Sequence, residues 1–141
     1  LAENRPPSSL SELLVRALIE SAEEERLRVH VSREAKTLGL VAYIVDPPGS
    51  VARAATYARA ARGTPIGVAV ERRGRLAVMS VRSVLDELDL NEVLRRLCSR
   101  LGGTGGGHRR AAGARIPFDR LDELLKALDE EARRAMERGV V

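Results

Sequence analysis

Aromatic side chains are almost absent from this chain. Tyr43, Tyr57 and Phe118 are the only three in 141 residues, and there is no tryptophan. Proteins that read single strands by stacking successive bases need a platform of exposed rings, so the composition argues against that mode of binding. Cysteine is as scarce. Cys98 stands alone on an apolar helical face, so no disulfide can form within the chain, and a buried free thiol fits a reducing, cytoplasmic setting. There is neither a signal peptide nor an apolar run long enough to cross a membrane, and no membrane partner is expected. Lysine is scarce too: Lys36 and Lys126 are the only two among 24 basic residues. Arginine suits bidentate phosphate contacts, although it also dominates GC-rich and thermophilic proteomes.

What is present is an aliphatic chain, 44% hydrophobic, with a net charge of +4 and a pI of about 10.0. That is enough for one domain, or a domain with an appended helix. The chain begins at Leu1 rather than Met, as a piece of a longer polypeptide would.

Residues 1–8, with Pro6, Pro7 and Ser8, have the composition of a linker. Ser9 and Glu12 have the spacing of a capping box, and Leu10, Leu13, Leu14, Ala17 and Leu18 mark one face of a helix running to about Glu25. Residues 26–39 fit either a strand, because Leu27, Val29 and Val31 alternate with Arg28 and His30, or a continued helix. Residues 9–39 thus form a helical and connecting segment. From 40 onward the pattern is clearer. Leu40 to Val45 is a buried strand, Val51 to Ala61 a helix ended by Gly63, and Ile66–Glu71 with Leu76–Arg82 a hairpin through Arg72, Arg73 and Gly74. Asp89 and Glu92 open a helix carrying Leu90, Val93, Leu94, Leu97 and Leu101; Ala114 to Ile116 is a last strand, and Phe118 to Met136 stripe a long final helix. The fold class expected is α/β, a small mixed β-sheet flanked by helices.

The most informative stretch is residues 102–114, GGTGGGHRRAAGA. Glycine lets a ligand approach main-chain N–H groups with no Cβ in the way, and a loop of this kind feeding a short helix favours an anion. His108, Arg109 and Arg110 add donors there. The chemistry is phosphate capture by a glycine-rich loop. It is not a P-loop, which needs Lys followed by Ser or Thr after the last glycine. A flexible linker is the plain alternative; the periodic apolar segments on both sides and the Ala-Ala-Gly-Ala run count against it. Upstream, Ser80 and Arg82 alternate onto one side of a strand end, where hydroxyl and guanidinium form a phosphate clamp.

With these residues in hand, residues 40–116 resemble the DHHA1 domain, the C-terminal substrate-binding half of the DHH-superfamily phosphoesterases. Its hallmark is GGGHxxAAG after an S-x-R strand. Gly105, Gly106, Gly107, His108, Ala111, Ala112 and Gly113 match the first, and Ser80 and Arg82 the second. Thr104 interrupts the run of glycines that the family often carries straight into the histidine. The resemblance makes residues 40–141 a DHHA1-like substrate-binding domain. It implies phosphate contacts from Ser80, Arg82, His108 and Arg109, completed by the N–H groups of Gly105, Gly106 and Gly107. The partners it implies are single-stranded nucleic acid, an oligonucleotide or a nucleotide phosphate, together with an N-terminal DHH domain of the same polypeptide. That domain would hold manganese and activate the attacking water. This chain has no Asp-His-His triplet, and its only histidines are His30 and His108, so no metal site and no catalytic residue are expected in it. Alone it should bind weakly and hydrolyse nothing. The second reading is a non-catalytic nucleic-acid-binding module attached to a synthetase or adaptor. A third is a protein-interaction domain whose glycines are only structural.

Overall fold

A computed structural model of the chain describes residues 7–139. Residues 1–6 of the expected linker lie outside the described residues. The elements are α1 (Pro7–Glu34), β1 (Lys36–Leu38), β2 (Val41–Val45), α2 (Val51–Arg62), β3 (Ile66–Arg73), β4 (Leu76–Ser83), α3 (Leu90–Arg100), β5 (Thr104–Gly107), β6 (Ala111–Pro117) and α4 (Leu121–Arg138), the last entered through a 3-10 turn at Phe118–Arg120. All six strands form one sheet in the order β1-β2-β3-β4-β6-β5. Only β2 and β3 run parallel, joined by the α2 crossover; the other pairs are antiparallel. The mixed α/β architecture expected from the sequence is present. Among the described residues no helix is long and apolar enough to cross a membrane.

The two faces of the sheet are covered unequally. On one, α3 and α4 bury Val68, Val70, Met79, Val81 and Ile116 beneath Leu94, Leu97, Leu124 and Leu128. On the other, Ala42, Ile44 and Ala69 pack beneath Ala54, Ala55 and Ala58 of α2, which is backed by Leu27 and Val31 of α1. The alanines let α2 lie very close to the sheet: a Cβ on Gly67 would sit 2.0 Å from the Ala55 carbonyl oxygen. α2 packs on β2, β3 and the flank of β4. Beyond it, β6 and β5 have no helix packed extensively on this side, and Ser80, Arg82, Ala111 and Gly113 are only half-buried.

Residues 26–34 continue the helix. Leu27 and Val31, one turn apart, are buried, whereas Val29 between them is 37% exposed; that is the helical period and not the alternation of a strand. α1 begins at Pro7, a residue tolerated in a first turn, so Ser9 lies inside the helix and is not its N-cap. The stripe of Leu10, Leu13, Leu14 and Leu18 is 50–71% exposed and belongs to neither buried core cluster.

The expected capping role of Asp89 is present: its Oδ1 accepts from the N–H of Asn91 (3.0 Å) and of Glu92 (3.5 Å). Asp89→Ala should lower stability by about 1 kcal/mol, as loss of an N-cap does, read as a lower urea midpoint with an unchanged m-value.

The largest departure from expectation is at residues 102–114. There is no glycine-rich loop leading into a short helix. Thr104–Gly107 is an edge strand paired with β6, with Gly106 opposite Gly113 and Gly107 opposite Ala112. The reason is packing. A Cβ on Gly105 would lie 2.8 Å from Cys98 Sγ and 2.9 Å from the Leu94 carbonyl oxygen of α3, and one on Gly103 would lie 2.0 Å from the Arg115 carbonyl oxygen. The Ala-Ala-Gly-Ala run alternates as a strand does: Ala112 and Ala114 are buried under α3, while Ala111 and Gly113 are half-buried. A run of small residues carries no hydrophobic period, so it reads equally well as helix or strand.

Candidate phosphate-binding site

β4 runs down the middle of the sheet and brings Ser80 and Arg82 onto the face shared with α2. Ser80 lies between Ala69 and Gly113, and Arg82 between Gly67 and Ala111. Because β6 carries only Ala111 and Gly113 beside them, the surface stays shallow and open there. Arg82 is half-buried, and among the described residues its side chain makes one hydrogen bond, from Nη1 to the carbonyl oxygen of Val81 at 2.9 Å. The rest of its planar donor fork remains available for an anion.

The turn joining β5 to β6 comes to the same end of the sheet. The His108 N–H donates to the Ala111 carbonyl oxygen at 2.8 Å. His108, Ala111 and Arg82 therefore share one rung, which puts the Cα atoms of Arg82 and His108 about 10 Å apart, two strand spacings. The His108 side chain is exposed and has no partner among the described residues.

Arg109 and Arg110 do different work. Arg109 Nη2 donates to the Asp86 carbonyl oxygen at 2.5 Å, and its Nη1 lies 3.7 Å from Asp89 Oδ2. Arg110 pairs with the Asp86 carboxylate. The backbone is tied down as well: Leu90 N–H donates to Arg109 O at 2.8 Å, and Ser83 N–H to Arg110 O at 3.0 Å. The turn is thus held against the start of α3 and the end of β4, which fixes where His108 stands.

Two of the three glycine N–H groups are engaged within the fold. Gly107 N–H donates to Asn91 Oδ1 at 3.0 Å. The His108–Ala111 bond sets the antiparallel alternation, so Gly106, two residues back, faces Gly113 in the next bonded rung and its N–H belongs to the ladder. Gly106 (φ +151°) and Gly107 (φ +146°) hold backbone conformations that favour glycine. Sequence reasoning missed Asn91; its only signal was its place two residues after the Asp89 cap. Beneath the strand, burial pushes the Cys98 thiol up to about 11, so it stays protonated at neutral pH and is a poor nucleophile. Among the described residues no group of three or more His, Cys, Asp or Glu could hold a metal ion.

The DHHA1 domain model matches residues 36–134. The chain belongs to the DHHA1 domain family. The match starts at β1, four residues before the expected boundary at 40, and leaves α1 outside it. No curated protein matches the chain significantly. Solved structures share the DHHA1 fold at low identity. The C-Ala domain of Aquifex aeolicus alanyl-tRNA synthetase is 22% identical with a TM-score of 0.53, over 69% of this chain and 96% of that one. The pGpG-specific phosphodiesterase PggH of Vibrio cholerae is 17% identical with a TM-score of 0.54, over 93% of this chain and 44% of that one. RecJ of Thermus thermophilus, in complex with Mg2+, is 20% identical with a TM-score of 0.62, over 88% of this chain and 20% of that one. This DHHA1 chain therefore spans under half of PggH and a fifth of RecJ.

Proposed function

We propose that this DHHA1 domain binds the phosphate-bearing end of a single-stranded nucleic acid, short oligonucleotide or nucleotide, and presents it to a phosphoesterase DHH domain of the same polypeptide. The observation that carries this reading is the Arg82 guanidinium, beside the part of the α2 face that no helix covers, with one backbone carbonyl as its side-chain partner among the described residues and, on the same rung, the His108 imidazole, which has none among them. A fixed guanidinium beside a second donor recognises a phosphate group more strongly than either alone. Ser80, two residues back on the same face, adds a hydroxyl. Arg109 contributes by fixing the turn and by its positive charge, and Gly105 to Gly107 by keeping that rim free of side chains.

In this reading the hydrolytic water and the manganese that activates it belong to the DHH domain. The work of this chain is to orient the substrate and offset its charge. The exposed leucines of α1 support a large folded neighbour, since apolar surface of that extent on one helix is seldom left in water.

The second reading, a binding module attached to a synthetase or adaptor, is favoured by one observation: the fold match covers 96% of the C-Ala domain. The GGGHxxAAG match with its histidine favours the phosphoesterase.

The test compares two short single strands that differ only in a 5′-phosphate, by fluorescence anisotropy at low salt. The phosphorylated strand should bind about tenfold more tightly, the effect of one added charge-assisted contact. Equal affinities would contradict recognition of a terminal phosphate. In the longer polypeptide, tight binding without manganese-dependent hydrolysis would favour the second reading.

A further inference from the structure

Beside Arg82, on the flank away from His108, lies a cleft of about 400 Å³ lined by Glu24, Ala52, Arg53, Thr56, Tyr57 and Arg82. Tyr57 is half-buried, and its hydroxyl donates to Glu24 Oε1 at 2.5 Å. The other carboxylate oxygen of Glu24 lies 3.3 Å from Arg53 Nη1. These links tie α1 to α2 and hold the phenol ring in one wall of the cleft, with Arg82 in another.

All three aromatics pack against core, Tyr57 against the smaller cluster under α2, and they differ in what their outer parts meet. Tyr43 packs against the large core, and so does Phe118, whose outer face is covered by the Arg72 guanidinium 4.3 Å from the ring centroid. Tyr57 is the one ring among the described residues that lines a cleft next to the phosphate site. A chain this poor in aromatics cannot stack a run of bases, but it can stack one.

We infer that this cleft holds the nucleoside attached to the bound phosphate, with its base against Tyr57. The inference rests on the phosphate site at Arg82 and names its ligand class: nucleotides, in preference to inorganic polyphosphate. The size fits, because small-molecule sites run from about 300 to 1,000 Å³. The chemistry fits as well. Every base offers a π-face to a phenol ring, and Arg53 in the same lining adds a guanidinium that can lie over a base while Arg82 meets the phosphate.

The experiment measures two probes by calorimetry on this chain: a 5′-phosphorylated dinucleotide and inorganic tripolyphosphate. Tyr57→Leu should weaken the dinucleotide about tenfold, the usual effect of removing one stacked ring, and leave tripolyphosphate within about twofold. Tyr57→Phe, which keeps the ring and loses only its tie to Glu24, should bind the dinucleotide more tightly than Tyr57→Leu does and tripolyphosphate like the unaltered chain. Arg82→Ala should weaken both probes. If Tyr57→Leu weakens neither probe, or both alike, the nucleoside subsite is overturned while the phosphate site stands. If Arg82→Ala weakens neither, the phosphate site itself falls. Should Tyr57→Leu fail to fold, the unaltered chain still decides. The Tyr57 ring protons should shift upfield with the dinucleotide and not with tripolyphosphate, and a ring that stays still with both overturns the inference.

Discussion

Replacing Arg82 with alanine should cost between tenfold and a hundredfold in affinity for a 5′-phosphorylated oligonucleotide, because hydrogen bonds to charged groups contribute about 1.5–3 kcal/mol each. Stability should barely change. Among the described residues the side chain makes a single hydrogen bond, to the carbonyl of its own neighbour Val81, and it lines an open cleft rather than a core. Arg82→Lys should fall between the two, since it keeps the charge and loses the planar fork. Salt separates the contributions further. Arg82→Ala should bind with a shallower dependence on salt, by about the 0.7 per phosphate contact found for single strands. Isothermal titration of the three proteins at two salt concentrations, with urea unfolding alongside, would check all of this. A large fall in stability would mean that Arg82 holds the sheet together rather than a ligand.

The second large effect concerns a residue far less conspicuous in the sequence. Gly67→Ala places a methyl group 2.0 Å from the Ala55 carbonyl oxygen and 2.8 Å from Arg59 Cβ. Both belong to α2, and a backbone carbonyl in mid-helix cannot swing aside, so the whole helix must rise off β3. Overpacking of this kind costs about 3 kcal/mol, at the upper end of the usual range, and the melting temperature should fall by about 10 °C. Binding should suffer too, because α2 carries Arg53 and Tyr57 beside Arg82. Gly63→Ala is the control. That glycine caps α2 at φ +67° with nothing within 4 Å, so the variant bears only local backbone strain of about 1 kcal/mol. Equal melting temperatures for the two variants would contradict the close seating of α2 on the sheet.

Much of this architecture was legible in the sequence. The strands at 40–45, 66–71 and 76–82 and the helices at 51–61 and from 90 onward declare themselves by period and punctuation. Asp89 caps α3 as its spacing implied. Three things were not legible, each for a physical reason. The alternation of Leu27, Val29 and Val31 mimics a strand because three residues cannot separate a period of two from one of 3.6; burial of Leu27 and Val31 together decides it. The leucine stripe of α1 promises a buried face, but no surface among the described residues covers it. The glycine segment looked like a ligand loop because glycine also serves where two backbones meet. At Gly103 and Gly105 it is α3 and β6 that leave no room for a Cβ.

At the site itself, the strand alternation placed Ser80 and Arg82 on one face, and the antiparallel register of β4, β6 and β5 brings His108 to their rung. Sequence could not show that Arg109 and Arg110 turn toward Asp86 and Asp89, because acid and base lie about twenty residues or more apart and meet only through the sheet. Nor could it show that the α2 side of β6 lies open, which follows from where the single crossover helix lands.

The most direct test of the phosphate site is a map of where the ligand acts. In an NMR titration of isotopically labelled chain with a 5′-phosphorylated dinucleotide, the amides of Ser80 to Ser83 and Gly107 to Gly113, with the His108 imidazole, should shift together and saturate at one concentration. Amides on the α3 and α4 side of the sheet should stay in place. Saturating shifts confined to that opposite side, with Arg82 and His108 unmoved, would place the ligand elsewhere and contradict a phosphate site on the open face.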